Sequence, residues 1–249
     1  MDFELTLSRF LHSAVFSPSD RVLEVGCGPG VWLQQVAPMV REVVGLDVSS
    51  SMIAQAKTRD LGPNVTLVVS DFLAFGPETQ FDKIYSIRSI EYFPRKEEFV
   101  AKAQGLLTHG GRLLVITKST PSLWVGRTRL KHLVRRAQRR GDEASGGAGD
   151  SSLWQVDDHQ FRQRRIGAFR LGRIMRAAGF KNIRYVPIIV RLPLFKGGED
   201  EYPVIPGRLE GALLPTARAF ARLSWKLPQP LRWAPYLMSN TYLIAADRP

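Results

Sequence analysis

The sequence predicts an α/β fold with a mostly parallel sheet covered by helices on both faces. Short, nearly all-apolar segments rich in β-branched residues alternate with helical segments in the first half, and two more strand-like segments follow later. The 249 residues suffice for one such domain with an elaboration and do not require two. With 23% charged and 10% aromatic residues, the composition excludes wholesale disorder and fibrous repeats.

Periodicity predicts seven strands and five helices, besides two further helices in the irregular part of the chain after residue 118. The strands are expected at residues 21–25, 42–47, 65–70, 81–87, 112–117, 182–191 and 241–245. The helices are expected at residues 4–15, 31–39, 51–58, 96–107 and 161–178. His109, Gly110 and Gly111 predict a helix stop and a turn before the fifth strand.

The regular alternation breaks after residue 118. Residues 123–140 predict a strongly basic helix, and residues 141–150 a glycine-rich loop. A proline-punctuated insertion follows at residues 192–239, with one helix at about 207–225. Its aromatic and basic side chains are typical of packing against a sheet, and would also suit a lipid-facing lid or an apolar acceptor pocket.

The positive charge is concentrated in the second half of the chain. The formal net charge is +12, of which residues 1–120 contribute −1, residues 121–180 contribute +8 and residues 181–249 contribute +5. The basic part therefore either faces an anion or serves solubility. For residues 127–140, a solvated helix, anionic lipid, RNA and a phosphorylated substrate all remain open.

Three features of the sequence bear on where in the cell we expect the protein. A single cysteine excludes a disulfide framework. No stretch approaches the roughly 18 apolar residues of a membrane-spanning helix. The first five residues carry acids where a secretory signal would carry bases. We therefore expect a cytoplasmic protein, with a peripheral membrane contact left open.

A glycine turn follows the first predicted strand and opens a helix. Gly26, Gly28 and Gly30 form the pattern G-x-G-x-G, which allows positive φ angles and a close approach of the main chain to a ligand. A dinucleotide fingerprint would place a small residue at position 31, where this chain has Val31. The sequence therefore disfavours NAD.

Two carboxylates follow at the ends of the next strands. Asp47 ends the second strand, 21 residues after Gly26, where an acid can accept hydrogen bonds from ribose hydroxyls. Asp71 follows the third strand. Either residue alone could instead cap a helix.

Together these segments resemble the class I S-adenosylmethionine-dependent methyltransferases. The family's first motif is an acid followed by G-x-G-x-G, and its D-x-S-x-x-M/L segment is similar to residues 47–52. More loosely, residues 159–162 and 178–180 look like landmarks of the ubiquinone/menaquinone-type methyltransferases. The resemblance implies a Rossmann-like fold, S-adenosyl-L-methionine as cofactor and S-adenosyl-L-homocysteine as product.

The resemblance also implies which residues hold the cofactor. They are Glu24, Gly26, Cys27, Gly28, Gly30, Asp47, Val48, Met52, Asp71, Phe72 and Arg88. In this interpretation residues 1–249 form one domain, with a cofactor-binding half at 1–118 and helical acceptor-side insertions at 119–181 and 192–239. Cys27 lacks an evident partnering base, so we do not expect it to be a nucleophile.

The acceptor site needs a base only if the acceptor carries a proton at neutral pH. His159 is the first candidate because it follows Asp157 and Asp158, although it could instead have a structural role at a helix start. Glu91 and Tyr92 are second candidates, and Tyr92 stands where the family often has a histidine.

Arg88 could also clamp an anionic acceptor. No cluster has metal-ligand spacing, so we expect no catalytic metal. The predicted reaction is O-methylation of a small-molecule, sugar-linked or lipid-linked metabolite in biosynthesis. The alternatives are an RNA methyltransferase that uses the basic residues 121–180, and a catalytically silent cofactor-binding partner protein. The RNA alternative is weaker because the aromatic interleaving of nucleic-acid platforms is sparse.

Overall fold

The computed structural model describes residues 3–118, 153–157, 159–190 and 239–249. The predicted basic helix at 123–140 and the loop at 141–150 lie outside the described residues. So does the insertion up to residue 238, including its predicted helix.

The main sheet has seven strands in the order β3-β2-β1-β4-β5-β9-β8. Strands β1 to β5 pair in parallel, and β9 is antiparallel to both of its neighbours. The predicted fold class is confirmed. The strands are β1 Arg21–Val25, β2 Glu42–Asp47, β3 Val65–Val69, β4 Phe81–Ile87, β5 Leu107–Lys118, β8 Lys181–Val190 and β9 Ser239–Asp247, with β6 Leu153–Val156 and β7 His159–Arg162 in a separate hairpin.

Five α-helices lie among the described residues: α1 Phe3–Ala14, α2 Leu33–Val36, α3 Ser50–Lys57, α4 Lys96–Leu106 and α5 Ala168–Ala177. Two short 3₁₀ helices, Ala37–Met39 and Ile90–Tyr92, follow α2 and β4. None of the described helices has the length and hydrophobicity that crossing a membrane requires.

Alternate residues of each strand feed two separate cores, one on each face of the sheet. Val22 packs in a cluster that includes Phe10 of α1 and Leu33 of α2. Its neighbour Leu23 packs in the other cluster with Phe99 of α4 and Leu171 of α5. Burial on both faces explains why the central strands are apolar throughout.

The predicted helix at 161–178 is wrong in its first part, because α5 begins only at Ala168. Residues 161 and 162 instead end the second strand of the β6–β7 hairpin, in which Val156 pairs with His159, and residues 163–167 belong to neither a strand nor a helix. Asp157 in the turn of the hairpin has a φ of +51°, as such turns require. Apolar spacing over so few residues cannot distinguish a strand from a helix, and the pairing across the turn decides it.

Strand β5 is longer than predicted, and residues 109–111, which were expected to form a turn, lie within it. Phe81 and Lys83 of β4 pair with Leu107 and Arg112, so that residues 108–111 bulge between them. Gly110 lies in this bulge with a φ of +76°. Positive φ at a glycine permits the bulge without ending the strand.

Candidate functional site

The candidate site lies at the carboxyl edge of the parallel strands. The sheet order reverses between β1 and β4, because β2 lies on one side of β1 and β5 lies beyond β4. Open α/β sheets bind ligands in the crevice at this switch point. The glycine turn, Asp47 and residues 88–92 all follow strands that end at this edge.

Two glycines of the turn differ in their surroundings: Gly26 is closely packed and Gly28 is open. Gly26 has a φ of +72°, and a Cβ placed there would collide with the side chain of Ser89. Gly28 has a φ of +51°, but no atom lies within 4 Å of a Cβ placed on it. Gly26 is therefore needed for packing, whereas Gly28 leaves the main chain open to a ligand.

Asp47 ties the glycine turn to the start of α3. The Gly28 N–H donates to Oδ2 of Asp47 at 2.8 Å, and the Ser49 N–H donates to Oδ1 at 2.9 Å. A carboxylate can accept about four hydrogen bonds, so acceptor capacity remains for ligand hydroxyls. The structure thus brings together Gly28 and Asp47, two of the residues assigned to the cofactor.

Glu24 lies beneath the turn and is 1% exposed. The Tyr85 hydroxyl donates to its Oε2 at 2.9 Å. Burial raises the pKa of Glu24 well above its usual range, and burial also raises the pKa of the Cys27 thiol. A high pKa keeps a thiol protonated, which agrees with the expectation that Cys27 is not a nucleophile.

Val48 and Met52 are half-buried beside Asp47. Ser49 caps α3, since its hydroxyl accepts the Met52 N–H at 3.1 Å. This cap fixes the first turn of the helix next to the Asp47 carboxylate.

Asp71 and Phe72 follow β3 and differ in environment. Asp71 is exposed, and its Oδ1 accepts the Leu73 N–H at 2.8 Å. Phe72 is 3% exposed and packs against the rings of Phe93 and Phe99. Phe72 therefore supports the edge from the core, while Asp71 remains accessible.

The β6–β7 hairpin reaches the same region through Asp157, a residue outside the motifs that predict the site. Its Oδ2 accepts the Ser49 hydroxyl at 2.8 Å and the Ser51 N–H at 3.3 Å. These hydrogen bonds lower the pKa of Asp157. Ser49 thus links Asp47 and Asp157, one through its N–H and the other through its hydroxyl. The sequence signal was an acidic pair flanked by short apolar segments.

The hairpin also brings the backbone of His159 near this edge. His159 begins β7, two residues after Asp157. The structure describes its backbone only, so its role as general base stays a prediction.

Glu91 is fully buried and connects three segments of the chain. Its Oε1 accepts the Thr117 hydroxyl at 3.0 Å and the Lys118 N–H at 2.9 Å, and Gln163 donates to Oε2. Arg88 Nε lies 2.9 Å from Oε1 as an ion pair. Glu91 therefore has an anchoring role, and its catalytic role stays a prediction.

Tyr92 and Lys96 complete the segment after β4. Burial raises the pKa of Tyr92, so that its phenol keeps its proton at neutral pH. Lys96 donates from Nζ to the carbonyls of Ile90 and Phe93, both at 2.6 Å, and burial lowers its pKa to about 8. Lys96 therefore holds the short helix that carries Glu91 and Tyr92.

Comparisons with known proteins point to one family. Residues 22–111 match the family model described as a methyltransferase domain. An uncharacterized methyltransferase of Mycobacterium bovis, Mb0092, is 31% identical over 114 residues, which are 45% of this chain and 56% of that protein. The ubiquinone biosynthesis O-methyltransferase of Mesorhizobium japonicum is 34% identical over 101 residues, which are 39% of this chain and 40% of that protein.

A solved structure shares the fold over nearly the whole chain. It is phosphoethanolamine N-methyltransferase 2 of Haemonchus contortus in complex with S-adenosyl-L-methionine, at 17% identity and a TM-score of 0.57, covering 99% of this chain and 53% of that one.

The sequence match lies in the half that holds the glycine turn and Asp47, whereas the fold match extends beyond it. The chain spans just over half the length of the Mycobacterium relative. Residues 22–111 match a methyltransferase domain, and the fold and the geometry of the site agree with the S-adenosylmethionine-dependent methyltransferase that the motifs predict.

Proposed function

We propose that this protein transfers a methyl group from S-adenosyl-L-methionine to an oxygen of a small-molecule acceptor. One observation carries the proposal. The Gly28 N–H donates a hydrogen bond to Asp47 at 2.8 Å, and no atom lies within 4 Å of a Cβ placed on Gly28. A ligand in the space above Gly28 would meet the exposed main chain of the turn and a carboxylate with unused acceptor capacity.

When bound, the cofactor supplies a methyl group on a sulfonium, whose leaving group needs no activation by the protein. The protein's own residues then have two tasks, which are to orient the acceptor and to take its proton. Gly26, Gly28, Gly30 and Asp47 would hold the cofactor at the carboxyl edge of β1 and β2.

For the proton, His159 is the base that we propose. Both oxygens of Glu91 already accept hydrogen bonds from the protein, and burial keeps the Tyr92 phenol protonated. The hairpin turn places the His159 backbone two residues from Asp157, which contacts the start of α3. An imidazole titrates near neutral pH and suits this task.

The Mesorhizobium relative bears the name of an O-methyltransferase, which supports an oxygen acceptor. We propose a small-molecule, sugar-linked or lipid-linked metabolite in the cytoplasm as the acceptor.

Calorimetry with S-adenosyl-L-methionine and S-adenosyl-L-homocysteine tests the cofactor assignment. We expect saturable binding that Asp47→Ala weakens by about 100-fold, because charge-assisted hydrogen bonds and the hold on the glycine turn are lost together. Asp60→Ala removes the same group from the exposed loop after α3 and should bind like the wild type. Equal affinity of all three proteins, or no binding, would contradict the proposal.

A transfer assay then tests the acceptor class. The protein is incubated with methyl-labelled cofactor and a cell extract, and the label is expected in the small-molecule fraction. His159→Asn should reduce that label strongly while cofactor affinity is retained. Label in RNA would support the RNA alternative and contradict this one. Cofactor binding without label in any fraction would point to the silent partner protein.

A further inference from the structure

We propose that the acceptor carries an oxyanion, a carboxylate or a phosphate, which is held by Arg88, Lys118 and Arg165. We call these three residues the basic cluster. This inference rests on the proposed function and narrows its acceptor class. It starts from the arrangement of the cluster around Glu91 at the carboxyl edge of β4 and β5.

Glu91 gathers the basic cluster from three separate segments. Arg88 forms an ion pair with its Oε1 at 2.9 Å, and the Lys118 N–H donates to the same oxygen at 2.9 Å. Gln163 donates to Oε2, and the Arg164 N–H donates to the Glu91 carbonyl at 2.7 Å, which brings Arg165 to this edge. The cluster is thus assembled by tertiary contacts.

The described residues do not balance the positive charge of the basic cluster. Among them, Glu91 is the carboxylate that pairs with Arg88, and no carboxylate forms an ion pair with Lys118 or Arg165. Burial is the main cause that lowers the pKa of Lys118. The charges of Arg88 and Arg165 lower it further and the charge of Glu91 opposes them, so the three cations lie close enough to repel one another. An oxyanion bound among them would relieve this repulsion.

Arg88 carries a further sign of a functional position. Its φ of +65° is a conformation that non-glycine residues seldom adopt and that clusters at ligand sites. The Arg88 N–H donates to Ile116 of β5 at 2.8 Å, which holds this conformation in place.

The basic cluster is accessible and adjoins the cofactor site. The Arg88 side chain is 30% exposed, Lys118 is half-buried and Arg165 is exposed. Ser89, the residue after Arg88, lies directly against Gly26, since a Cβ on that glycine would collide with it. An oxyanion held by the cluster would therefore place the rest of the acceptor beside the glycine turn.

Anion binding to the full-length protein tests this inference without turnover. The protein, saturated with S-adenosyl-L-homocysteine, is titrated by calorimetry with inorganic phosphate and with malonate, with chloride at equal ionic strength as the reference. Lys118→Met and Arg165→Gln each remove one cation. Arg173→Gln makes the same charge change on an exposed position of α5 and serves as the matched control. Thermal melting of each variant confirms that it is folded.

We expect saturable binding of at least one anion to the wild type, weakened by roughly tenfold in both cluster variants and unchanged in Arg173→Gln. A preference for malonate would assign a carboxylate acceptor, and a preference for phosphate would assign a phosphorylated one. Anion binding that is absent, or equal in all four proteins, would overturn the inference. Failure to bind S-adenosyl-L-homocysteine would instead contradict the proposed function, so the two failures are distinguishable.

Discussion

The two halves of the carboxyl edge differ in charge and in the way that they are built. At β1 and β2, the Asp47 carboxylate lies beside a glycine turn and accepts the Gly28 N–H. At β4 and β5, the basic cluster surrounds one buried carboxylate, Glu91. The first half consists of two motifs between residues 24 and 52, whereas the second brings together residues from positions 88 to 165.

This difference matches the two ligands that we propose for the edge. A sulfonium cofactor with ribose hydroxyls suits an acidic site with hydrogen-bond acceptors, and an anionic acceptor suits a basic one. Electrostatic potentials of opposite sign at one edge of the sheet would direct the cofactor to the acidic half and the anionic acceptor to the basic half.

Glu91→Gln should have the largest effect, because it breaks the anchor of the basic half. Removing a buried charge that pairs with Arg88 should reduce the free energy of unfolding by about 3 kcal/mol. Urea unfolding measures this. Glu98→Gln breaks the exposed ion pair with Arg95 and should cost less than about 1 kcal/mol. Equal losses in the two variants would show that Glu91 is not an anchor.

The glycine turn offers a pair of variants that separates packing from binding. Gly26→Ala should destabilise the protein by about 2 kcal/mol, because its Cβ collides with Ser89 at a positive φ. Gly28→Ala meets no atom within 4 Å and should cost only about 1 kcal/mol, yet reduce S-adenosyl-L-homocysteine affinity by at least about tenfold. Unfolding curves and calorimetry distinguish them, and unimpaired binding by Gly28→Ala would contradict an open ligand space above the turn.

The lowered pKa of Lys96, which lies beside Glu91, predicts that the free energy of unfolding depends on pH. Its folded pKa of about 8 lies below that of an exposed lysine, so between pH 8 and about 10.5 the unfolded chain binds more protons at this group. The contribution of Lys96 to the free energy of unfolding therefore rises with pH across this window, by at most about 1.4 kcal/mol per pH unit. Lys96→Met should remove this rise in a series of urea unfolding curves. Parallel stability–pH curves of the two proteins would rule it out.

Asp157→Asn should have the smallest effect, since Asp157 is exposed and joins the hairpin to the acidic half. Losing its charge weakens the contacts with Ser49 and Ser51, and we expect an affinity loss for S-adenosyl-L-homocysteine of about threefold. Asp60→Asn is the control. An unchanged affinity would indicate that the hairpin contact does not support the cofactor site.

Much of the acidic half could be predicted because its residues are close in sequence. Predicted and observed bounds agree for β1, β2 and β4, since apolar runs bounded by polar residues identify buried strands. The glycine spacing and Asp47 are motif features, and parallel strands bring them to one edge without any long-range packing. The start of α5 and the β6–β7 hairpin were not predictable in this way, because the apolar spacing of residues 161–167 fits a helix as well as a strand.

The sequence by itself determined the fold, the cofactor turn and the uneven distribution of charge. Local periodicity and motif spacing are sufficient for these features. Only the tertiary structure decided that Glu91 is an anchor, that Asp157 contacts the start of α3, and that Arg88, Lys118 and Arg164 meet at Glu91. The physical reason is that a buried carboxylate must recruit donors from wherever the fold brings them, and no local pattern specifies those partners.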